Sequence, residues 1–263
     1  MATISISVSA ATDVNALIDN AGGGFGSTNR GWFEGTMLMP HDSYGYQSGA
    51  NSSAFVAEGS LTYNPIPGFS NSHVLQGDLD SIDIGAGLNN GTGTGYVSAN
   101  TLATAQLSIS GLGITGSTGS GGLANTIVFG LASGSESALN NYLFDNAAND
   151  IVFSGSAGND SITGGLGSDQ FTGNGGTDTF VFTSGAHANG DEVTDFSGDV
   201  IDLTGLNLAG GFTGTTADFD AVWYDDTSGD TVIYGDLDGD SIADFSLTLD
   251  SYTGGLTGSN VLV

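Results

Sequence analysis

The chain has 263 residues, with 29 Asp and Glu against a single Arg, no Lys and no Cys, giving a formal charge of −28. Phosphate recognition needs clustered cations, so nucleic acids and anionic membrane surfaces are excluded as partners. The missing Cys exclude a disulfide framework and thiolate metal sites, and no apolar run approaches the roughly 18 residues that would insert into a bilayer.

The N-terminus, MATISISVSA, has neither the basic nor the apolar region of a signal peptide, so no N-terminal leader is expected. Ile4, Ile6 and Val8 alternate with Ser and Thr, the period-2 mark of a half-buried strand. Thr12 is placed to N-cap a short helix with Val14, Leu17, Ile18 and Ala21 on one face. A glycine-rich loop follows at 21–31. Strands are predicted at Ala54–Ala57, Ser60–Tyr63, Val74–Leu79, Ser81–Ile84, Ala105–Ile109 and Thr126–Phe129. The stretches GLNNGTGTGYV and GLGITGSTGSGG read as turns or loops, and Ser135 opens a second helical stretch with Leu139, Tyr142 and Leu143 on one stripe.

From Gly155 the pattern changes. Three consecutive nonapeptides, GSAGNDSIT, GGLGSDQFT and GNGGTDTFV, place Asp160, Asp169 and Asp178 nine residues apart. They match the G-G-x-G-x-D-x-U-x unit of calcium-bound parallel β-helices. Ile162, Phe171 and Phe180 take the inward apolar position, which a flexible Gly/Asp linker would not keep. The candidate calcium residues are Asp160, Asp169 and Asp178 with Gly158, Gly165, Gly167 and Gly176. Carbonyl oxygens and one carboxylate per loop suit a hard cation. A turn of such a helix takes two nonapeptides, which puts Asp160 and Asp178 on one side and Asp169 opposite. The acidity fits as well, because a self-repelling compact state gains from bound cations. Acidity alone also fits a salt-tolerant soluble protein. Calcium bound only to the folded state adds about 2.7 kcal/mol per site at a hundredfold excess over Kd.

Asn149–Val152 reads as a degenerate first turn, out of phase by one residue. So short a solenoid needs caps, and about 80 residues remain for one: Glu192–Phe196, Asp199–Leu203, a hairpin around Gly235–Asp240, an alternating strand Phe245/Leu247/Leu249, and the apolar tail Asn260–Val263. Asp236, Asp238, Asp240 and Asp244 look like a calcium loop. An EF-hand would have Gly and Glu where Ser241 and Leu247 stand, so this is a turn with optional calcium.

The block AFVAEGSLTYNPIPGFSNSHVLQGDLDSIDI at 54–84 resembles the haem-acquisition hemophores, bacterial proteins released to capture haem. The match continues through Asn125–Gly134 and Glu136–Phe144 and covers about 1–145. The resemblance implies Tyr63 as the iron ligand and His73 as its hydrogen-bond partner, with Pro65 and Pro67 stiffening the loop between. A phenol's ordinary pKa near 10 calls for such a proton acceptor, and tyrosine is a known haem ligand type. The family's second axial histidine has no counterpart, since Gly22–Gly31 contains none and has Asn29 and Arg30 there. VTDFSGDVIDL and GDLDGDSIADF resemble the C-terminal regions of serralysin-like calcium-repeat proteins, which implies an uncleaved C-terminal signal for type I secretion.

The fold class expected is therefore an α+β hemophore-like domain (1–145), an all-β parallel β-roll (146–182), and a C-terminal β cap with the secretion region (183–263). No HExxH, GxSxG or P-loop is present, and His41, His73 and His187 are scattered, so no enzyme is expected. The expected ligands are calcium and haem. The expected partners are haem or a host haemoprotein and an outer-membrane receptor, outside the cell or at its surface. Assembly into homo-oligomers or filaments stays open. So does a second reading, an extracellular filament, surface-layer or matrix subunit on the same fold with an eroded haem site.

Overall fold

The computed structural model describes residues 2–22, 32–33, 41–47, 53–65, 73–90, 100–119 and 121–263. It is mostly β with few helices. The chain packs as two units, one formed by Ala16–Tyr142 and the other by Thr3–Asn15 with Leu143–Val263.

The N-terminal strand β1 (Ala2–Val8) alternates as expected, with Ile4, Ile6 and Val8 buried. Helix α1 spans Val14–Gly22. Thr12 does not serve as its cap. Its backbone pairs with the repeats, donating its N–H to Asp160 Oδ1 and accepting from the Ser161 N–H, while its hydroxyl reaches the Asp13 carbonyl.

In the Ala16–Tyr142 unit, β2 (Trp32–Phe33), β3 (His41–Gln47), β4 (Ser53–Pro65), β5 (His73–Asn90) and β6 (Asn100–Ser117) form an antiparallel meander. The pairs of short strands expected at 54–63 and 74–84 are single long strands. A bulge between Glu58 and Leu61 joins their halves, and at Gly77 (φ +112°) a Cβ would sit 2.0 Å from the Ser60 carbonyl oxygen. The two segments expected as loops are partly strand. Gly87–Asn90 ends β5 and Gly111–Ser117 continues β6, with Leu112 and Ile114 buried. Their alternation outweighs the interspersed glycines.

Thr126–Phe129 is not a strand. It lies in helix α2 (Leu123–Ser133), where Ala124, Ile127, Val128 and Leu131 are buried. That i, i+3, i+4, i+7 spacing prevails over the β-branched propensity of Thr-Ile-Val. Gly134, in the left-handed region, ends the helix with N–H bonds back to Gly130 and Leu131. Asn125 ties α2 to β5, its Oδ1 accepting the Leu75 N–H at 2.9 Å. Helix α3 (Ser137–Phe144) follows, with Leu139 and Leu143 buried as expected.

In the other unit, short strands alternate between two parallel ladders. One runs β7 (Asn149–Ser154), β9 (Gln170–Thr172) and β11 (Asp191–Val193). The other runs β8 (Ser161–Thr163), β10 (Thr179–Val181), β12 (Val200–Asp202) and, at the chain's end, Val261–Leu262. Phe153 pairs with Phe171 and Ile162 with Phe180, so Asn149–Ser154 keeps the phase of the repeats. Ile162, Phe171 and Phe180 are buried between the ladders with Phe153, Phe182 and Ile201. Beyond them, β13 (Gly211–Phe212), β14 (Ala221–Asp225), β15 (Thr231–Gly235) and β16 (Phe245–Leu249) extend the first ladder, and the hairpin expected around 235–240 joins β15 to β16. The final strand, β17, is Val261–Leu262.

Candidate functional site

Each repeat loop turns on glycine and ends on a buried aspartate. Gly167 (φ +126°) and Gly176 (φ +109°) hold backbone conformations that a side chain rarely adopts, and a Cβ on Gly167 would lie 2.3 Å from the Asn149 carbonyl oxygen. Gly158 and Gly165 are packed against Ala11 and Phe144.

The aspartates form two columns. In one, Asp160 Oδ1 accepts the Thr12 N–H, Asp178 Oδ1 the Asp160 N–H, and Asp199 Oδ1 the Asp178 N–H, at 2.8–2.9 Å. In the other, Asp169 Oδ1 accepts the Ile151 N–H and Asp191 Oδ1 the Asp169 N–H, both at 2.7 Å. The offset is 18 residues within the repeats, which is two nonapeptides. Asp160 and Asp178 therefore share a column that excludes Asp169. Second oxygens close the loops from within: Asp160 Oδ2 takes the Ser156 N–H and hydroxyl, and Asp169 Oδ2 the Gly165 N–H. Asp195 reaches across to accept the Gly173 and Asn174 N–H groups.

Stacking carboxylates in columns, with no Lys or Arg among the described residues, is electrostatically unfavourable. Burial pushes Asp178 up to about 6, further helped by Asp199, Asp160 and Asp195, despite the Asp160 N–H. Asp191 is pushed up to about 8, first by burial and then by the charges of Asp169 and Asp150. Burial raises Asp169 as well, opposed by the N–H groups of Ile151 and Gly165. Each column is thus a stack of oxygen donors carrying excess negative charge, a donor set that fits a hard divalent cation and no soft metal.

Asp150, Asp191, Asp195 and Asp199 belong to this arrangement and are absent from the consensus motif. Spacings of 22 and 21 residues to Asp191 and Asp199 break the period. The surviving signal is local, since Asp191-Glu-Val193 and Asp199-Val-Ile201 repeat the Asp-x-apolar pattern of Asp160-Ser-Ile162.

Apart from the columns, the β15–β16 turn brings carboxylate oxygens of Asp236, Asp238 and Asp244 within 4.8 Å of one another. Burial acts to raise the Asp236 pKa, but N–H bonds from Ser241, Gly239, Asp220 and Asp238 prevail and hold it below the usual value. Asp240 instead accepts the Ile242 N–H.

Tyr63 and His73 lie on neighbouring strands. In the β4–β5 ladder Tyr63 pairs with Leu75 and His73 with Pro65, so the two occupy diagonal positions. Diagonal positions are about 7–8 Å apart. Beneath this end of the ladder, Asn125 holds the Leu75 N–H. Aromatic packing of Tyr44 on Phe55 and Phe129, and of Tyr46 on Phe55, fixes β3 and β4. Pro67, Asn29 and Arg30 lie outside the described residues.

Residues 8–165 match the family model of heme-binding protein A (HasA). The chain belongs to that family. The RTX calcium-binding nonapeptide repeat model matches residues 152–180. The hemophore HasA of Serratia marcescens is 33% identical over 135 residues, covering 49% of this chain and 68% of that protein. Among solved structures, apo hemophore HasA from Yersinia pestis aligns at 21% identity with a TM-score of 0.45, over 53% of this chain and 84% of that one. The R3 subunit of the Azotobacter vinelandii mannuronan C5-epimerase AlgE6 aligns at 27% identity with a TM-score of 0.35, over 43% and 68%. No helix among the described residues is long and apolar enough to cross a membrane.

Proposed function

We propose that this chain is a secreted haem-binding protein of the hemophore type, a carrier and not an enzyme, whose acidic repeats fold as a parallel β-roll on extracellular calcium. Family membership over residues 8–165 is the observation that carries the haem reading, and the columns of buried aspartates support the calcium reading.

The haem residues are Tyr63 and His73. His73 takes the phenolic proton, and Tyr63 presents an anionic oxygen, a donor that suits the ferric iron of bound haem. The calcium residues are Asp160, Asp169 and Asp178, aided by the carbonyls of the loops that turn on Gly158, Gly165, Gly167 and Gly176. The working division is 1–145 for haem, 146–182 for calcium, and 183–263 for the cap and the C-terminal export address. The cargo's partner is an outer-membrane receptor.

Hemin titration of the full chain and of Tyr63→Ala, followed by absorbance, tests the haem reading. A tyrosinate–haem band in the wild type and its loss in the variant is the expected result. No spectral change in the wild type would leave the extracellular structural role as the better reading. Circular dichroism of the full chain with calcium and with a chelator tests the calcium reading, and a chelator-insensitive spectrum with no bound calcium would overturn it.

A further inference from the structure

The second aspartate column does not stop at the last consensus repeat, and its terminal member is incomplete. Asp191 is 1% exposed. One of its oxygens, Oδ1, accepts the Asp169 N–H at 2.7 Å. The other, Oδ2, is buried and has no hydrogen-bond partner.

Comparison along the columns gives the reason. Asp160, Asp169 and Asp199 each receive an N–H on Oδ2 from their own loop, from Ser156, Gly165 and Ser197. The loop before Asp191 is built differently. Its 3-10 turn, Gly185–His187, spends the His187 N–H on Ser184 and the Ala188 N–H on Gly185, and the Gly190 N–H goes to the Ser246 carbonyl. The loop is closed without the aspartate. A buried carboxylate oxygen left unpaired is costly. The charges acting on it are those of Asp169 and Asp150, both negative.

We propose that Asp191 Oδ2 is a ligand to a divalent hard cation, calcium, held between the second repeat loop and the non-consensus loop 184–190. This rests on the calcium reading above and adds a position beyond the repeats at 152–180. It gives the orphaned oxygen a partner and explains why a carboxylate stands where the loop needs none.

The test is Asp191→Asn in the full chain, with calcium chloride as the only added metal, read by equilibrium dialysis of radioactive calcium and by thermal melts. The amide keeps an oxygen for the Asp169 N–H and removes the charge. The variant is expected to bind one ion fewer than the wild type and to gain less melting temperature on calcium addition, with its chelated melting temperature equal to or above the wild type's. Equal ion counts and equal calcium gains would overturn the proposal and leave the calcium reading intact. A wild type that binds no calcium would overturn both. If the variant does not fold, a terbium-soaked crystal of the wild type decides. An anomalous peak about 2.3–2.6 Å from Asp191 Oδ2 supports the site, and terbium bound only elsewhere overturns it.

Discussion

Asp178 and Asp160 are joined across one full turn of the repeat, the Oδ1 of Asp178 accepting the backbone N–H of Asp160 at 2.8 Å. The side chain therefore carries a structural role separable from any bound ion. In chelator, Asp178→Ala is expected to lower stability by about 1–3 kcal/mol, because the Asp160 N–H is left buried and unpaired. Asp178→Asn keeps an acceptor and is expected to match or exceed the wild type. With calcium the order of wild type and Asn reverses. Chemical denaturation of the three proteins in both conditions checks this, and an Asn variant as unstable in chelator as the Ala variant would contradict it.

The raised pKa values of Asp178 and Asp191, to about 6 and about 8, give the metal-free protein an inverted pH profile. In an unfolded chain these groups ionise near the ordinary 3.9, so the folded state binds the extra protons. Their favourable contribution is complete below that value and is lost as pH rises through about 6 for Asp178 and about 8 for Asp191. Thermal melts in chelator are expected to show the melting temperature falling from mildly acidic to mildly alkaline pH, with calcium flattening or reversing the slope. A chelated protein that gains stability across that interval would contradict this.

Adjacent glycines in the third repeat should respond very differently to alanine. Gly176 has φ +109°, and a Cβ there would lie 2.6 Å from the Gly158 carbonyl carbon. At Gly175 the nearest atom is 3.8 Å away. Gly176→Ala is expected to cost more than the roughly 1 kcal/mol typical of single mutations, and Gly175→Ala to stay below it. Melting temperatures in saturating calcium separate the two, and equal losses would count against the loop geometry.

His73→Ala should weaken hemin binding less than Tyr63→Ala and change its pH dependence. Without the imidazole the phenol keeps its proton to higher pH, so affinity is expected to recover as pH rises towards the phenol's ordinary pKa of about 10. Titrations at neutral and alkaline pH read the effect. A His73→Ala affinity that is unaffected at both, or that falls as pH rises, would remove His73 from this role.

Much of this architecture was legible because it is periodic. Ile4, Ile6 and Val8 declare a strand, and three in-phase Asp and apolar positions declare the repeat. The misreadings share one cause, local composition set against longer-range order. Thr-Ile-Val-Phe at 126–129 has β-forming residues on a helical spacing, and Leu112 and Ile114 keep a strand's alternation through glycines that look like loop. Asp191 and Asp199 were hidden by insertions that break the nine-residue count while preserving the rung. Thr12 was unreadable, because its partner Asp160 is 148 residues away.

That distance gives the repeat array a direction of assembly. The rungs at Asp178 and Asp199 join segments 18 and 21 residues apart and close at little entropic cost, whereas the rung at Thr12 must close a loop of 148. On loop length alone, nucleation is expected in the downstream turns, with the stretch around Thr12 expected to dock onto them later. Asn15, whose amide bonds the Thr163 hydroxyl at 2.9 Å, is captured in the same late step. The first residues of the chain are thus expected to be among the last to find their place.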